Sequence, residues 1–283
     1  MSHVLKSRIA VTVEDGVADL HMRDEDGKNA FSRAFVDELV AALTMVGQDE
    51  RAKVCVLRGL PEVFSAGGDR SLLLELAEGH VAPYDLLLTR TLLEVPIPTI
   101  AAMAGAAVGG GLIFGLSCDV VLLAQESRYG VNFMDLGFTP GMGTTRLLQL
   151  AVGEYIAAEM MYGCQYFRGK HFIGRSLINH IEPRARVEDK ARRVAWRMAD
   201  KPRSALTLLK RSLSLKRRQA FEEARTVESM MHEVCFADPQ TRARIRENYN
   251  SSAGAGAGKG GAAAEVERAN RQDAAISGSL EER

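Results

Sequence analysis

Two glycine-rich stretches carry the clearest chemical potential in this chain: Phe64-Ser65-Ala66-Gly67-Gly68-Asp69-Arg70 and Gly105-Ala106-Ala107-Val108-Gly109-Gly110-Gly111. Each can present bare backbone N–H groups, because glycine has no Cβ to hold a ligand off the peptide. Fixed donors converging from two turns can hold one oxygen atom that becomes negative during a reaction. Arg70 follows the first turn; read alone, it is a surface cation with Asp69 and Glu75 within ion-pairing reach. His232 read alone is a partly buried helix histidine, and Asn132 suits either a turn or a hydrogen bond to a ligand. His3, His21, His80, His171 and His180 have no partners at metal-ligand spacing, so no metal site is expected.

The elements that must position these groups follow from residue pattern. Ile9–Val13 and Val17–Met22 read as strands joined by the turn pair Asp15-Gly16. Phe35, Leu39, Leu43 and Val46 share a helical face over Ser32–Val46, with Ser32 as N-cap. Val54–Arg58 is a buried strand that feeds the first glycine turn. Ser71–Gly79 and Tyr84–Glu94 read as helices, the second ended by Pro96. Thr99–Met103 is a strand leading to the second glycine turn, Leu112–Cys118 a helix and Asp119–Ala124 a strand. This alternation predicts an α/β protein built of βα-type units. From Val187 onward the pattern is helical only: Val187–Asp200, Ser204–Leu213 and Ala220–Phe236, with Trp196 expected in core packing. Residues 251–264 are Ser/Gly/Ala-rich and read as a flexible linker, followed by a polar tail to Arg283.

Bulk numbers narrow the function classes. A chain of 283 residues with 46% hydrophobic residues can build a large core. Lys+Arg and Asp+Glu both total 36, so the formal net charge is zero and a dedicated nucleic-acid binder is not expected. Four dispersed cysteines without a C-x-x-C pair suggest reduced thiols and a cytoplasmic protein. No apolar leader or run long enough to span a membrane is read, so no membrane partner is expected. A nucleotide-binding reading of the glycines fails for want of Gly-x-x-x-x-Gly-Lys-Ser/Thr or of Rossmann spacing.

The order of strand, Phe-Ser-Ala-Gly-Gly-Asp, apolar helix, Pro-Ile-Pro-Thr-Ile-Ala-Ala-Met-Ala-Gly, Gly-Gly-Gly and Cys-Asp-Val-Val resembles the enoyl-CoA hydratase/isomerase (crotonase) superfamily over roughly residues 5–245. The resemblance implies a ββα-spiral core (1–195), a C-terminal helical trimerisation region (196–250) and a tail (251–283). It also implies a thioester substrate on phosphopantetheine or CoA, with no further cofactor. The two oxyanion N–H groups then map to Gly68 and Gly110. Hydratases of the family carry two glutamates where this chain has Ile113 and Phe133. Neither side chain moves a proton, so hydration is disfavoured.

Tyr129-Gly130-Val131-Asn132-Phe133-Met134, Gly137-Phe138-Thr139-Pro140 and Met231-His232-Glu233-Val234-Cys235-Phe236 look like the crotonase-fold decarboxylases of polyketide β-branching cassettes. That resemblance implies loss of the terminal carboxylate from a 3-methylglutaconyl-type thioester on an acyl carrier protein. It implies a homotrimer, and an upstream dehydratase of the same fold as a further partner. His232 becomes the proton donor, with Glu228 one turn before it to orient the ring. Arg70 stands where those enzymes carry a lysine. A guanidinium is a poor proton donor but grips carboxylates through paired hydrogen bonds, so Arg70 is expected to hold the substrate carboxylate. Ile113 and Phe133 are expected as an apolar wall, and Asn132 as a carboxylate partner. The Lys210–Arg218 cluster (Lys210, Arg211, Lys216, Arg217, Arg218) reads as a solvated helix face, or as a surface for an acidic carrier. Within the same fold, an enoyl thioester isomerase and a silent carrier-binding scaffold are the alternatives.

Overall fold

The computed structural model describes residues 7–81 and 87–250. His3, Tyr84, the first residues of the helix expected from Tyr84, and the linker and tail expected over 251–283 therefore lie outside the described residues.

The chain opens with a hairpin of β1 (Ile9–Glu14) and β2 (Val17–Met22). Asp15 and Gly16 turn it at φ of 49° and 80°, the pair of positive φ values that matches strand twist in a two-residue loop. Next comes α1 (Arg33–Gln48), begun by Ser32, whose hydroxyl accepts from the Phe35 N–H at 3.3 Å. Three strand pairs then repeat one plan: β3 (Val54–Arg58) with β4 (Val63–Ser65), β5 (Thr99–Met103) with β6 (Ala106–Val108), and β7 (Val120–Ala124) with β8 (Arg128–Gly130). The first member of each pair joins a large sheet and the second joins a small one. A helix follows each pair: α2 (Arg70–Ala77), α4 (Gly110–Leu116) and, after a longer loop, α5 (Thr144–Val152), while α3 (Leu88–Glu94) leads into β5. This is the expected ββα spiral. The remainder is α6 (Glu154–Gly163), β9 (Tyr166–Arg168), β10 (His180–Glu182), α7 (Arg184–Ala199), α8 (Arg203–Leu213), α9 (Leu215–Ala237) and α10 (Pro239–Asn250).

The large sheet runs β1-β2-β3-β5-β7-β10, parallel from β2 onward. Its central strands read as continuous apolar runs because both faces are covered. Cys55 and Leu57 of β3 point into the main core, while Val54 and Val56 point into a second cluster with Val187, Ala191, Val194 and Ala195 of α7. The small sheet runs β4-β6-β8-β9. It sets the ends of β4 and β6 side by side, and both glycine turns leave from those ends. All four cysteines are unpaired, and burial pushes the Cys118 thiol up to about 12. No described helix is long and apolar enough to cross a membrane.

Three sequence expectations are corrected. Trp196 is 54% exposed rather than packed in the core. It lies nine residues after Val187, about 180° round the helix from the stripe that α7 buries. Second, the Lys210–Arg218 cluster is not one solvated face. Lys210 Nζ lies 2.6 Å from Asp119 Oδ2 and is 4% exposed, and Arg217 pairs with Asp119 Oδ1. Asp119 also accepts from the Thr99 N–H at 2.8 Å, so this group rivets α8 and α9 to β5. Third, the helices do not end with the one expected over Ala220–Phe236: α10 follows, capped by Asp238 through the Gln240 N–H at 2.8 Å and started by Pro239.

Removing Asp119 leaves a buried ammonium without a partner. Asp119→Ala is expected to lower unfolding stability by about 3–5 kcal/mol, and Lys210→Met by less, because only the first strands a charge. Urea denaturation of the two variants checks the order.

Candidate active site

The two glycine turns meet. Gly67 sits at φ +82°, and a Cβ built there would stand 2.6 Å from the Val108 carbonyl oxygen and 3.7 Å from the Gly110 nitrogen. Only glycine allows both the backbone angle and that approach. The first turn is also tied to the segment before α1: Phe31 N–H donates to Gly67 O at 2.7 Å and bridges Gly68. Asp69 caps α2 by accepting from the Ser71 N–H at 2.9 Å. Gly110 is the first residue of α4, where backbone N–H groups have no partner inside the helix and the dipole favours negative charge.

Gly68 and Gly110 line one wall of a cavity of about 90 Å³. One face of α9 also lines it, presenting Phe221, Arg225, Glu228, Ser229, His232 and Phe236. Asn132, Phe133, Phe138, Gly141 and Met142 close a third side, with Phe31 and the leucines of α2 completing the enclosure. The lining is mostly apolar and aromatic, as small-molecule sites are.

His232 is 6% exposed and forms a three-ring cluster with Phe138 and Phe236, whose ring centroids lie 5.9 and 5.3 Å from the imidazole and 5.2 Å from each other. Its Nε2 lies 2.8 Å from the Thr139 carbonyl oxygen. A carbonyl only accepts, so Nε2 carries the proton and Nδ1 is left as a bare, buried lone pair without a partner. Burial holds the pKa of His232 below the ordinary value of 6.5, against a smaller opposing effect of the Thr139 and Pro140 backbone.

Of the residues expected from the sequence, the fold brings together Gly68, Gly110, Asn132, Phe133 and His232. Arg70 and Ile113 do not line the cavity. Ile113 is fully buried in the main core behind the wall. Arg70 begins α2 with its Nε buried and unpartnered, while Glu75, its expected ion-pair partner, binds Arg33 at 2.8 Å. Glu228 does not orient the imidazole directly. Its carboxylate accepts from the Gly143 N–H, the Thr145 N–H and the Thr145 hydroxyl, each at 2.8 Å.

Arg225 and Ser229 were missed, though they stand seven and three residues before His232 and so share its helical face. Arg225 donates to Glu222 Oε2 at 3.0 Å, and Arg90 holds Oε1 of the same carboxylate. The cavity thus has a guanidinium on its wall, and its one carboxylate among the described residues is occupied by three donors. Among the described residues no three His, Cys, Asp or Glu side chains gather as a metal would require.

Comparison with known proteins agrees with this geometry. The profile of the enoyl-CoA hydratase/isomerase family matches residues 12–249. The bacillaene synthase decarboxylase PksI of Bacillus subtilis (strain 168) is 35% identical over 239 residues, covering 84% of this chain and 96% of that protein. Human mitochondrial methylglutaconyl-CoA hydratase is 29% identical over 188 residues, covering 65% of this chain and 56% of the hydratase. Among solved structures, the ECH2 decarboxylase domain of CurF from Lyngbya majuscula superposes with a TM-score of 0.79 at 34% identity, covering 86% of this chain and all of that domain. An enzyme from a dehydratase/decarboxylase couple involved in polyketide β-branching superposes at 0.81 with 35% identity, covering 85% and 98%.

Gly141 sets the place of the imidazole, since a Cβ at residue 141 would lie 2.7 Å from His232 Cε1. Gly141→Ala is therefore expected to displace the ring and break its bond to Thr139, in a protein that still folds. A crystal structure of the variant with Nε2 beyond 3.5 Å of the Thr139 oxygen bears this out; an unmoved ring refutes it.

Proposed function

The chain belongs to the enoyl-CoA hydratase/isomerase family, and from that premise we propose that it decarboxylates a 3-methylglutaconyl-type thioester carried on an acyl carrier protein, giving a 3-methylcrotonyl-type product in polyketide β-branching. The observation that carries the reading is one aromatic-walled cavity facing both Gly68 and Gly110 on one side and His232 on the other. The decarboxylases of this fold at 34–35% identity agree with it.

In this reading the thioester oxygen accepts from the backbone N–H groups of Gly68 and Gly110. The bond between carbon and the departing carboxylate breaks. Its electron pair spreads through the double bond to that oxygen as a dienolate, and CO2 leaves. Each oxyanion donor is worth about 3 kcal/mol of barrier. The apolar wall of Phe133, Phe138 and Phe236 favours loss of the carboxylate's charge and excludes water. His232 as its imidazolium then gives the Nδ1 proton to carbon and returns neutral. The carboxylate-holding role expected of Arg70 falls to Arg225, the cation of the cavity wall, with Asn132 beside Phe133.

Burial disfavours the imidazolium form of His232. A carboxylate entering the cavity reverses that balance, since an opposite charge nearby favours the charged ring. Substrate and proton donor are thereby coupled.

The same reading includes a homotrimer in the cytoplasm, supplied by a dehydratase of the same fold. Leu208, Leu209 and Leu213 of α8 and Val227, Met230 and Val234 of α9 are all at least 46% exposed, which suits a face covered by further copies of the chain. The substrate brings its own phosphopantetheine arm, and no further cofactor is part of the reading.

Intact mass spectrometry of 3-methylglutaconyl-acyl carrier protein tests the proposal: loss of one CO2 is expected with the wild type and not with His232→Ala, and an unchanged mass overturns it. The pH dependence follows in sign. With imidazolium as donor, kcat/KM falls about tenfold per pH unit above a free-enzyme pKa below 6.5. The kcat profile turns down at higher pH than kcat/KM, because the bound carboxylate favours the charged ring. A flat kcat/KM between about pH 5 and 8 removes His232 as the donor.

A further inference from the structure

Gly141, Met142 and Gly143 form a segment with little conformation of its own. Met142 and Gly143 both stand at positive φ, 62° and 87°. Yet this segment fixes the imidazole, through the Thr139 carbonyl at one end and the face of Gly141 against the ring. It also begins α5, whose N-cap position is Gly143, a residue with no side chain to cap with. The missing acceptor comes from another element: Glu228 of α9 takes the Gly143 and Thr145 N–H groups and the Thr145 hydroxyl. Within the segment, Thr144 Oγ1 donates to the Gly141 carbonyl at 2.5 Å.

One helix therefore grips one loop twice. His232 holds it at Thr139, and Glu228, one turn earlier, holds it at Gly143 and Thr145. Three donors converge on Glu228, which an ionised carboxylate can satisfy completely. An amide cannot, since its NH2 would face an N–H. Glu228 is 2% exposed, so a donor left bare there is not rescued by water.

We propose that Glu228 is a positioning residue for His232, acting through the Thr139–Thr145 segment to hold the ring in its Nε2–H tautomer with Nδ1 bare. The inference rests on the proton-donor reading of His232 for its catalytic meaning, but the tautomer itself is measurable without turnover.

The test is 15N NMR of the His232 side chain together with steady-state kinetics. In the wild type, one protonated and one bare ring nitrogen are expected. In Glu228→Gln the two signals are expected to converge as both tautomers become populated, and Thr145→Val, which removes only the hydroxyl bond, is expected to move them less. Unchanged signals in folded Glu228→Gln, or in Thr145→Val should Glu228→Gln fail to fold, overturn the proposal. In kinetics, Glu228→Gln is expected to lower kcat about tenfold with KM within about twofold. A loss of kcat with the ring signals unchanged means a purely structural role and refutes it. If the wild type releases no CO2 while the NMR signals behave as described, the decarboxylase reading fails and the positioning of His232 stands.

Discussion

Parallel pairing of β4 with β6 brings the backbone at Gly67 to within a Cβ's width of the Val108 carbonyl. Every other feature of the site is arranged around this approach. It requires glycine at 67, sets Gly110 at the start of α4 beside Gly68, and orients both turns toward the same space. The large sheet cannot do this, because its strands deliver their C-terminal ends to a row of separate loops. The small sheet, of strands only three residues long, turns successive units inward so that two of those loops converge. The binding of Phe31 N–H to Gly67 O then locks the first turn against the segment before α1.

Across the cavity, α9 is held by a different kind of force. Asp119 anchors its N-terminal part through Arg217, and the Glu222 carboxylate ties it to α3 through Arg90. The bonds of Glu228 and His232 tie its middle to the loop before α5. All of these polar contacts have long sequence separation, but only Glu228 and His232 are buried, where satisfied networks specify one arrangement and unsatisfied ones are costly; the Arg90–Glu222 pair is partly exposed. Among the α9 side chains that line the cavity, Nδ1 of His232 is a buried atom without a partner, and it is the atom to which the proposed reading gives the proton transfer.

What could be read from residues alone followed from burial on two sides. Val54–Arg58 and Thr99–Met103 match their strands because each alternates between two filled cores and is bounded by turn residues. The glycine turns were legible because several motifs occur in one order. The three-residue strands β4, β6 and β8 were not, since three residues display no period. Glu228 was placed beside His232 by helical spacing, but its partners lie 83 and 85 residues away, and nothing local announces them. Arg70 was assigned from its place after the first turn. In the fold that place is the first position of α2, away from the cavity wall, and the wall's guanidinium comes from Arg225 on the His232 face. Trp196 and the Lys210–Arg218 run show the same limit: composition tells which residues are apolar or charged, while the helix face that packs decides which of them is buried.

The absent hydratase glutamates and the desolvated histidine belong to one physical argument. Hydration needs a carboxylate free to activate water, and among the described residues the cavity wall offers only Glu228, which three donors occupy. Decarboxylation needs no activated water. It moves charge from a carboxylate to an oxygen held by backbone dipoles, and it gains from an environment that solvates the carboxylate poorly. The aromatic cage that depresses the pKa of His232 would destabilise an unpaired carboxylate for the same reason. Brought together, the two groups relieve each other: the carboxylate favours the imidazolium, and the imidazolium makes the carboxylate's entry tolerable. Loss of neutral CO2 shifts the negative charge from the carboxylate to the dienolate oxygen at Gly68 and Gly110, and in the proposed reading the imidazolium then gives its proton to the dienolate carbon. In the proposed reading, the burial of this one ring bears on both the bond cleavage and the proton transfer that follows it.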